Sequence, residues 1–428
     1  MARVAVPEDE LRSALMALKK ERPSIGVAKV HQLVLEEHPT WAVSEKRVRK
    51  ILQGEGLVAS GQQNRDIPAI HPSSRLNDSL DVQKWSSKIK VQYFNPVKGK
   101  GLVATEKITE AEVLWKEDPF ILAPEWDIYD LQASSRACAY CSTLMNEHSP
   151  LHVPCQSSTS ATPCPAMFCN RRCRLQSDNV HPLLCPARNP ASIPLLKFAR
   201  HAQWLALHAL AHCTSKLLLS AQRGDGSLDL DLQVVHGLAE LGMEERFRAL
   251  QDQGVEPDRQ TWKTAFDLYL QTFQQPKVTS EQKRLARILK KPIAEELQKE
   301  LFKYDAFLHG LGRMSLNIEA HGGLYKLHSH LNHSCIPNIS VRHLDRRNAL
   351  SRITVIAKKD IQPGEELFIT YTNPESDFRE RRRALSEWGF GPCQCERCIA
   401  EEKEAKASGI DTGADELADQ LRAGLGLT

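Results

Sequence analysis

The chain has 428 residues, of which 41% are hydrophobic, and a formal net charge of +3. This length allows several modules and a large core, while so small a charge provides no overall field for binding nucleic acid. No apolar run is long enough to cross a bilayer, and the N-terminus lacks the apolar core of a secretory signal. We therefore expect an intracellular protein, in the nucleus, the cytoplasm or both, with no membrane contact.

Residues 1–58 are predicted to form a helical, helix-turn-helix-like module. Leu11, Leu15 and Leu18 share a helix face, and Ser44 is a suitable N-cap for the last helix. That helix carries a basic outer side formed by Lys46, Arg47, Arg49 and Lys50. Such a helix can enter a DNA groove, but an ordinary solvated helix face is the preferred explanation, and docking of a protein partner is a further alternative.

Residues 59–87 are rich in Ser, Asn, Gln, Asp and Pro, which is typical of a linker. Strand patterns begin in residues 88–130, which include a glycine-containing turn with Lys100, Gly101 and Leu102. Because glycine lets a ligand approach the backbone closely, this turn is a candidate binding loop, although a plain hairpin is the simpler explanation.

Residues 131–190 contain the clearest chemical pattern, a run of eight potential soft metal ligands. These ligands are Cys138, Cys141, Cys155, Cys164, Cys169, Cys173, His181 and Cys185. In a reducing compartment, clustered cysteines bind metal more often than they form disulfides. Structural zinc takes four such ligands in a tetrahedron, so eight ligands fill two sites. His148 or His152 is an alternative to Cys155 in the second site.

Residues 191–318 are predicted to be helical, because leucines and aromatic residues recur there at helical spacing. We interpret these apolar stripes, and the isolated Cys213 among them, as core. Residues 401–428 are acidic overall and are predicted to be a tail without chemistry.

Residues 319–372 combine a polar turn with two predicted strands. Asn, His, Ser and Cys occupy residues 332–335, β-branched residues fill 353–356, and a Pro-Gly-Glu turn leads into a strand that ends at Tyr371. An Asn-His-Ser-Cys turn, a Pro-Gly-Glu hairpin and a terminal Thr-Tyr, in this order, closely resemble the SET-domain protein lysine methyltransferases.

Residues 373–400 follow with a basic helix and a second cysteine group. The run from 379 to 383 is expected to be an exposed helix face, with nuclear import as an alternative role. Three cysteines then lie close together: Cys393, Cys395 and Cys398. They cannot complete a tetrahedral site alone, and Cys335 is the cysteine available as a fourth donor; a tight turn without metal is the alternative.

A SET domain divided by a zinc finger and a helical insert is the arrangement of the SMYD subfamily, which this chain resembles. The implied fold is mixed α+β, a β-rich SET fold split by a MYND-like zinc finger and a helical insert, with an N-terminal helical bundle. The MYND finger interleaves its ligands, which implies one set of Cys138, Cys141, Cys169 and Cys173 and another of Cys155, Cys164, His181 and Cys185. The chain departs from the family in the eight residues between Cys155 and Cys164. A post-SET zinc on Cys335, Cys393, Cys395 and Cys398 would be the third ion.

The resemblance also implies a site for S-adenosylmethionine and a catalytic tyrosine. The residues implied in cofactor binding are Lys100, Gly101, Leu102, Asn332, His333, Trp388 and Phe390. Trp388 stands where the subfamily is expected to have tyrosine. Tyr371 is the implied catalytic residue, since its hydroxyl can orient the substrate amine; a strand-end core tyrosine is the alternative.

The leading hypothesis is thus an S-adenosylmethionine-dependent protein lysine methyltransferase, similar to fungal SET proteins that act on histone tails. We expect a monomer with a histone as protein substrate. A catalytically weak scaffold, whose finger docks proline-rich proteins in chromatin regulation, is the alternative, and DNA binding through residues 44–53 is a third hypothesis.

Overall fold

The computed structural model has a mixed α and β fold. It describes residues 4, 6–23, 25–58, 71–146, 149–248, 257–345, 350–388 and 393–407. The helices are α1 (Glu8–Glu21), α2 (Val27–Glu37), α3 (Glu45–Gly54), α4 (Trp126–Ala133), α5 (Arg171–Ser177), α6 (His181–Leu184), α7 (Ser192–His201), α8 (Leu205–Arg223), α9 (Ser227–Gly237), α10 (Met243–Arg248), α11 (Arg259–Phe273), α12 (Thr279–Ile288), α13 (Glu295–Phe302), α14 (Tyr304–Asn317), α15 (Phe378–Glu387) and α16 (Glu396–Ala407). The strands are β1 (Ile89–Asn95), β2 (Gly99–Ala104), β3 (Val113–Glu117), β4 (Ile121–Leu122), β5 (Val153–Pro154), β6 (Met167–Phe168), β7 (Gly323–Leu324), β8 (Asn332–His333), β9 (Ile339–Arg342), β10 (Ile353–Ala357) and β11 (Phe368–Ile369). Among the described residues, none of the helices combines the length and apolarity needed to cross a bilayer.

The N-terminal helices α1, α2 and α3 pack around a shared apolar cluster that includes Leu11 and Leu15. The side chain of Ser44 accepts a hydrogen bond from the backbone N–H of Arg47 and so caps α3. The Arg47 guanidinium donates to Val6 O at 2.8 Å, and Arg49 pairs with Glu45 at 3.3 Å. Two of the four basic residues of α3 therefore have partners within this module.

The β core joins two distant parts of the chain. Strand β10 lies between β3 and β9 in an antiparallel sheet, and β1 pairs with β2 in a hairpin. The β-branched residues Ile353 and Val355 of β10 are fully buried, as is Leu102 of β2. These side chains belong to one apolar cluster, which is formed by residues 89–115 together with residues 325–369.

Helices α7 to α14 form a second apolar core, to which the N-terminal module is attached. Buried Arg259 of α11 pairs with Glu244 and donates to Leu57 O at 3.2 Å. The later part of the predicted linker is packed rather than free, because Ser73 forms an antiparallel bridge with Glu240. Residues 59–70 of that linker and residues 408–428 of the predicted tail lie outside the described residues.

Candidate active site and cysteine clusters

A cavity of about 900 Å³ lies between the β core, the helical region and the C-terminal segment. Its lining comes from parts of the chain that are far apart in sequence, among them residues 316–320, 328–329, 331–334, 365–366, 368–372 and 393–396. Asn332 and Trp388 both line this cavity. These two candidate cofactor-binding residues, which are 56 positions apart in the sequence, therefore lie at the same cavity.

Asn332 connects strand β2, which carries Lys100 and Gly101, to the strand that leads to Tyr371. Parallel pairing of β8 with β11 places Asn332 opposite Phe368. The Asn332 amide nitrogen donates to Lys100 O at 2.9 Å and to Glu366 Oε1 at 2.8 Å. Both amide hydrogens are thus committed within the protein, which leaves the side-chain oxygen and the backbone of Asn332 to contact a ligand.

The candidate glycine turn is not a turn in the structure: Lys100, Gly101 and Leu102 lie within strand β2 and pair with β1 in a hairpin, and their surroundings differ. A Cβ atom on Gly101 would lie 2.7 Å from Glu366 Oε1 and 2.9 Å from Asn332 Nδ2, so this close approach of segments requires glycine. Leu102 is fully buried in the β core and contributes its backbone, whose carbonyl accepts the N–H of Leu367 at 2.8 Å. Lys100 lines the cavity.

Lys100 is a buried amine, which the sequence did not indicate. Its side chain donates to Gly237 O of the helical region, and its backbone N–H donates to Ser74 Oγ at 3.3 Å. Burial lowers the pKa of Lys100 from 10.5 to about 7, because a charged ammonium is poorly solvated there.

Tyr371 is anchored at both its side chain and its backbone. Its hydroxyl donates to Leu331 O at 2.7 Å, and its backbone N–H donates to His333 Nδ1 at 3.0 Å. Desolvation raises the pKa of Tyr371, and the carboxylates of Glu319 and Glu366 raise it further. The hydroxyl therefore remains protonated at neutral pH, gives its one proton to Leu331 O and keeps its oxygen as a hydrogen-bond acceptor at the cavity wall.

His333 connects Tyr371 to a cysteine. Because its Nδ1 accepts the Tyr371 N–H, the neutral ring carries its proton on Nε2. That Nε2 lies 3.4 Å from Cys335 Sγ. Burial lowers the pKa of His333 to about 4, and the positive charge of Arg381 acts in the same direction, so the ring is neutral at physiological pH.

Trp388 stands beside Tyr371, with ring centroids 5.9 Å apart and planes inclined by 32°. An aromatic wall of this kind suits a planar ligand such as adenine. Phe390, the second aromatic residue expected at this place, lies outside the described residues.

Glu117 also supports this region, although no sequence pattern indicates it. Its buried carboxylate accepts the backbone N–H groups of Leu327 at 2.8 Å and His328 at 3.1 Å, and the Trp115 indole N–H at 3.2 Å. These bonds hold the turn that precedes Leu331, the acceptor of the Tyr371 hydroxyl. A single glutamate in a strand has no sequence signal for this role, because its partners come from a segment much later in the chain.

Three groups of four side chains bring their ligand atoms within 4.8 Å of one another. The groups are Cys138, Cys141, Cys169 and Cys173; Cys155, Cys164, His181 and Cys185; and Cys335, Cys393, Cys395 and Cys398. The Sγ atoms of Cys141 and Cys169 are 3.7 Å apart, and those of Cys155 and Cys185 are 3.8 Å apart. Thiolates in a tetrahedron around zinc, each about 2.3 Å from the ion, are about 3.8 Å apart. All three groups therefore fit a structural zinc ion.

The first two groups are interleaved along the chain, with the members that the resemblance implies. Strands β5 and β6 pair antiparallel and bring Cys155 close to Cys164 in spite of their long separation in sequence. His152 does not belong to the second group, and His148 lies outside the described residues. The local apolar cluster of this region consists largely of the cysteines themselves, so metal ligation would contribute much of its stability.

Comparison with known proteins shows which family shares these features. The family model of the SET domain matches residues 99–372. The histone-lysine N-methyltransferase SET5 of Meyerozyma guilliermondii is 28% identical, with 97% of this chain and 85% of that protein covered. The protein of the same name in Mycosarcoma maydis is 29% identical, with 92% and 84% covered.

A solved structure with some likeness is the SET domain of LSMT bound to lysine and AdoHcy. It is 12% identical, has a TM-score of 0.35, and the match covers 70% of this chain and 52% of that chain. The SET domain match alone extends over well more than half of the 428 residues. The chain belongs to the SET domain family.

Proposed function

We propose that the protein is an S-adenosylmethionine-dependent protein lysine N-methyltransferase that acts on histones. The observation that carries the proposal is the convergence of Asn332, His333, Tyr371 and Trp388 on one cavity within the matched SET region and directly after it. The name histone-lysine N-methyltransferase, shared by relatives that align over nearly the whole chain, supports the reaction and the substrate class.

The cavity residues have distinct roles in this proposal. S-adenosylmethionine, when bound, supplies an activated methyl group on a sulfonium ion. Asn332, His333 and Trp388 would hold this cofactor, and the Tyr371 hydroxyl would orient the substrate amine. A substrate lysine has an ordinary pKa of about 10.4 and must lose its proton before it reacts. Enclosure in the cavity favours that loss, and catalysis then depends mainly on positioning.

The charge of the lining suits a basic substrate segment. Four carboxylates line the cavity: Glu319, Glu365, Glu366 and Glu396. Two of the lining lysines are already engaged, since Lys98 pairs with Glu366 and Lys100 bonds to Gly237 O. Lys359 is the third lysine of the lining, so carboxylates outnumber lysines by one, and this small excess would favour a lysine-rich histone tail.

The three cysteine groups would each hold one zinc ion, with a MYND-like finger formed by the first two and a post-SET site formed by the third. Their soft ligand sets and their Sγ separations support zinc over the harder cations. This makes the overall organisation similar to the SMYD subfamily. A monomer, nuclear or cytoplasmic location, and binding of proline-rich proteins by the finger stay predictions.

The test is methyl transfer by the purified, zinc-loaded protein. Incubation with methyl-labelled S-adenosylmethionine and core histones should label a histone, and mass spectrometry should locate the label on lysine. Calorimetry should detect binding of S-adenosylhomocysteine. If the protein neither binds this product nor labels any histone, the alternative of a non-catalytic scaffold replaces the proposal.

A further inference from the structure

Arg381 of α15 is the largest fully buried side chain among the residues that the structure describes, with 1% of its surface exposed. Its neighbours Arg379 and Arg383 are exposed, as expected for a basic helix face. The expectation of an exposed face for the whole run is therefore wrong at this position. Burial of a guanidinium is costly unless its donors are satisfied, so its contacts indicate what it does.

The guanidinium contacts three different chemical groups. Nη1 donates to Ser376 O at 2.6 Å, just before α15. Nη2 lies 3.8 Å from Cys398 Sγ and forms an ion pair with Glu401 of α16. Cys398 is a member of the third cysteine group and lies 3.4 Å, sulfur to sulfur, from Cys335. Arg381 is thus a buried cation beside this group.

The positive charge of Arg381 beside the third cysteine group is expected to favour metal binding there. Four thiolates around a divalent cation leave a net charge of about −2, which a buried site must offset. A hydrogen-bond donor to a ligand sulfur orients the ligand and tunes the affinity of the site.

The same helix reaches the cavity. Leu385, one turn after Arg381, and Trp388 at the end of α15 both line it. On the other side of the group, Cys335 lies within 3.4 Å of the His333 ring that accepts the Tyr371 N–H. A side chain that joins α15 to the third group therefore also sets where Trp388 stands relative to Tyr371.

We propose that Arg381 is a positioning residue that stabilises zinc in the group of Cys335, Cys393, Cys395 and Cys398 and thereby holds α15 against the cofactor cavity. This inference rests on the proposal that the group binds zinc. Arginine suits the role because its planar, forked donors reach a carbonyl, a sulfur and a carboxylate at once, which a lysine ammonium does not do in the same geometry.

The experiment compares Arg381→Met and Arg381→Lys with Arg382→Met in the full-length, zinc-loaded protein. Arg382 is a matched control, because it pairs with Glu402 at 3.0 Å between the same two helices and is half-buried. Zinc per chain is measured by elemental analysis after equilibration with a graded competing chelator. Alkylation by iodoacetamide, followed by peptide mass spectrometry, identifies which cysteines become free.

Wild-type protein and Arg382→Met should retain three ions over the same chelator range. Arg381→Met should release one ion at a chelator concentration roughly 10- to 100-fold lower, the range found when a group that supports a metal ligand is removed. Alkylation should then appear first on Cys393, Cys395 and Cys398, and affinity for S-adenosylhomocysteine should fall in parallel. Arg381→Lys should release this ion at a chelator concentration between those of Arg381→Met and the wild type. The lysine variant carries the test if Arg381→Met does not fold.

Retention of the third ion by both Arg381 variants, as firmly as by Arg382→Met, would overturn the role of Arg381 while leaving the zinc assignment intact. Equal loss from all three groups would overturn it as well, because it would indicate general destabilisation. Two ions in the wild-type protein, with the third group alkylated, would overturn the zinc assignment of that group and this inference with it.

Discussion

The Tyr371 hydroxyl donates a hydrogen bond of 2.7 Å to the carbonyl oxygen of Leu331. Leu331 directly precedes Asn332 and His333, and His333 accepts the Tyr371 backbone N–H. The tyrosine and the Asn-His turn therefore constrain each other through two hydrogen bonds at the cavity wall. A rigid hydroxyl at this place can orient a substrate amine without first being ordered itself.

Replacement of Tyr371 by phenylalanine tests this arrangement. We expect kcat for histone methylation to fall roughly 100-fold or more, the cost of misplacing reacting groups. Affinity for S-adenosylhomocysteine should change little, because the ring and its contact with Trp388 remain. Tyr129→Phe, on α4 and in contact with His208, is the control and should retain activity. Full activity of Tyr371→Phe would exclude the assigned role.

Replacement of Gly101 by alanine tests the close packing of strand β2 against Glu366 and Asn332. The added Cβ would lie 2.7 Å from Glu366 Oε1 and 2.9 Å from Asn332 Nδ2, so one of these groups must move. We expect a loss of about 1–3 kcal/mol of stability and weaker binding of S-adenosylhomocysteine in calorimetry. Gly54→Ala, at the end of α3 where a Cβ would have no neighbour within 4 Å, should leave product affinity unchanged and should not lower stability, because alanine favours the helix. Unchanged product affinity in Gly101→Ala would argue against a cofactor role for this part of β2.

The pKa of Lys100 predicts a pH dependence of stability. This pKa is about 7 in the folded protein and 10.5 ordinarily, so between these values unfolding takes up a proton. The contribution of Lys100 to the free energy of unfolding therefore rises with pH in this window, by at most about 1.4 kcal/mol per pH unit. Below pH 7 the burial of the charged amine is fully destabilising.

Lys100→Met should accordingly unfold at higher denaturant concentration than the wild type at pH 7, and this advantage should shrink as the pH approaches 10. Urea denaturation at a series of pH values measures it. Lys84→Met, whose lysine side chain is 75% exposed, is the control and should show a constant difference from the wild type. A pH-independent effect of Lys100→Met would contradict the lowered pKa.

Removal of a single cysteine tests the link between the third cysteine group and the cavity. Cys335→Ser should reduce the zinc content by one ion and weaken binding of S-adenosylhomocysteine, because Cys335 contacts His333. Cys213→Ser is the matched control, since Cys213 is also buried but belongs to none of the three groups. It should keep the full zinc content, as determined by elemental analysis. Equal zinc content in both variants would count against a metal ion at Cys335.

Replacement of Glu319 by glutamine tests the charge of the cavity. The Glu319 carboxylate lines the cavity and acts on the titration of Tyr371. Its side chain is 36% exposed, so solvent screens part of its attraction for a cation, and we expect KM for a histone peptide to rise up to about fivefold. Binding of S-adenosylhomocysteine should be unaffected. If KM stays the same at low ionic strength, Glu319 does not attract the substrate.

Much of the site was predictable because its signals are local. The Asn-His-Ser-Cys turn and the strand that ends at Tyr371 are continuous segments, and residue order alone marks them. The fourth partner of Cys393, Cys395 and Cys398 was also predictable, since tetrahedral zinc needs four donors and Cys335 was the cysteine left. Lys100, Glu117 and Arg381 were different, because each is defined by partners that lie far away in the sequence.

The amino-acid order by itself determined the SET resemblance, the cysteine and histidine candidates for metal binding and the aromatic and polar candidates for the cofactor site, because ligand number, turn chemistry and strand propensity act over a few residues. Tertiary structure decided that the Asn332 amide is used within the protein, that Lys100 is a buried amine and that one arginine of an apparently exposed run lies beside Cys398. Burial and charge pairing depend on which distant segments pack together, and no local pattern carries that information.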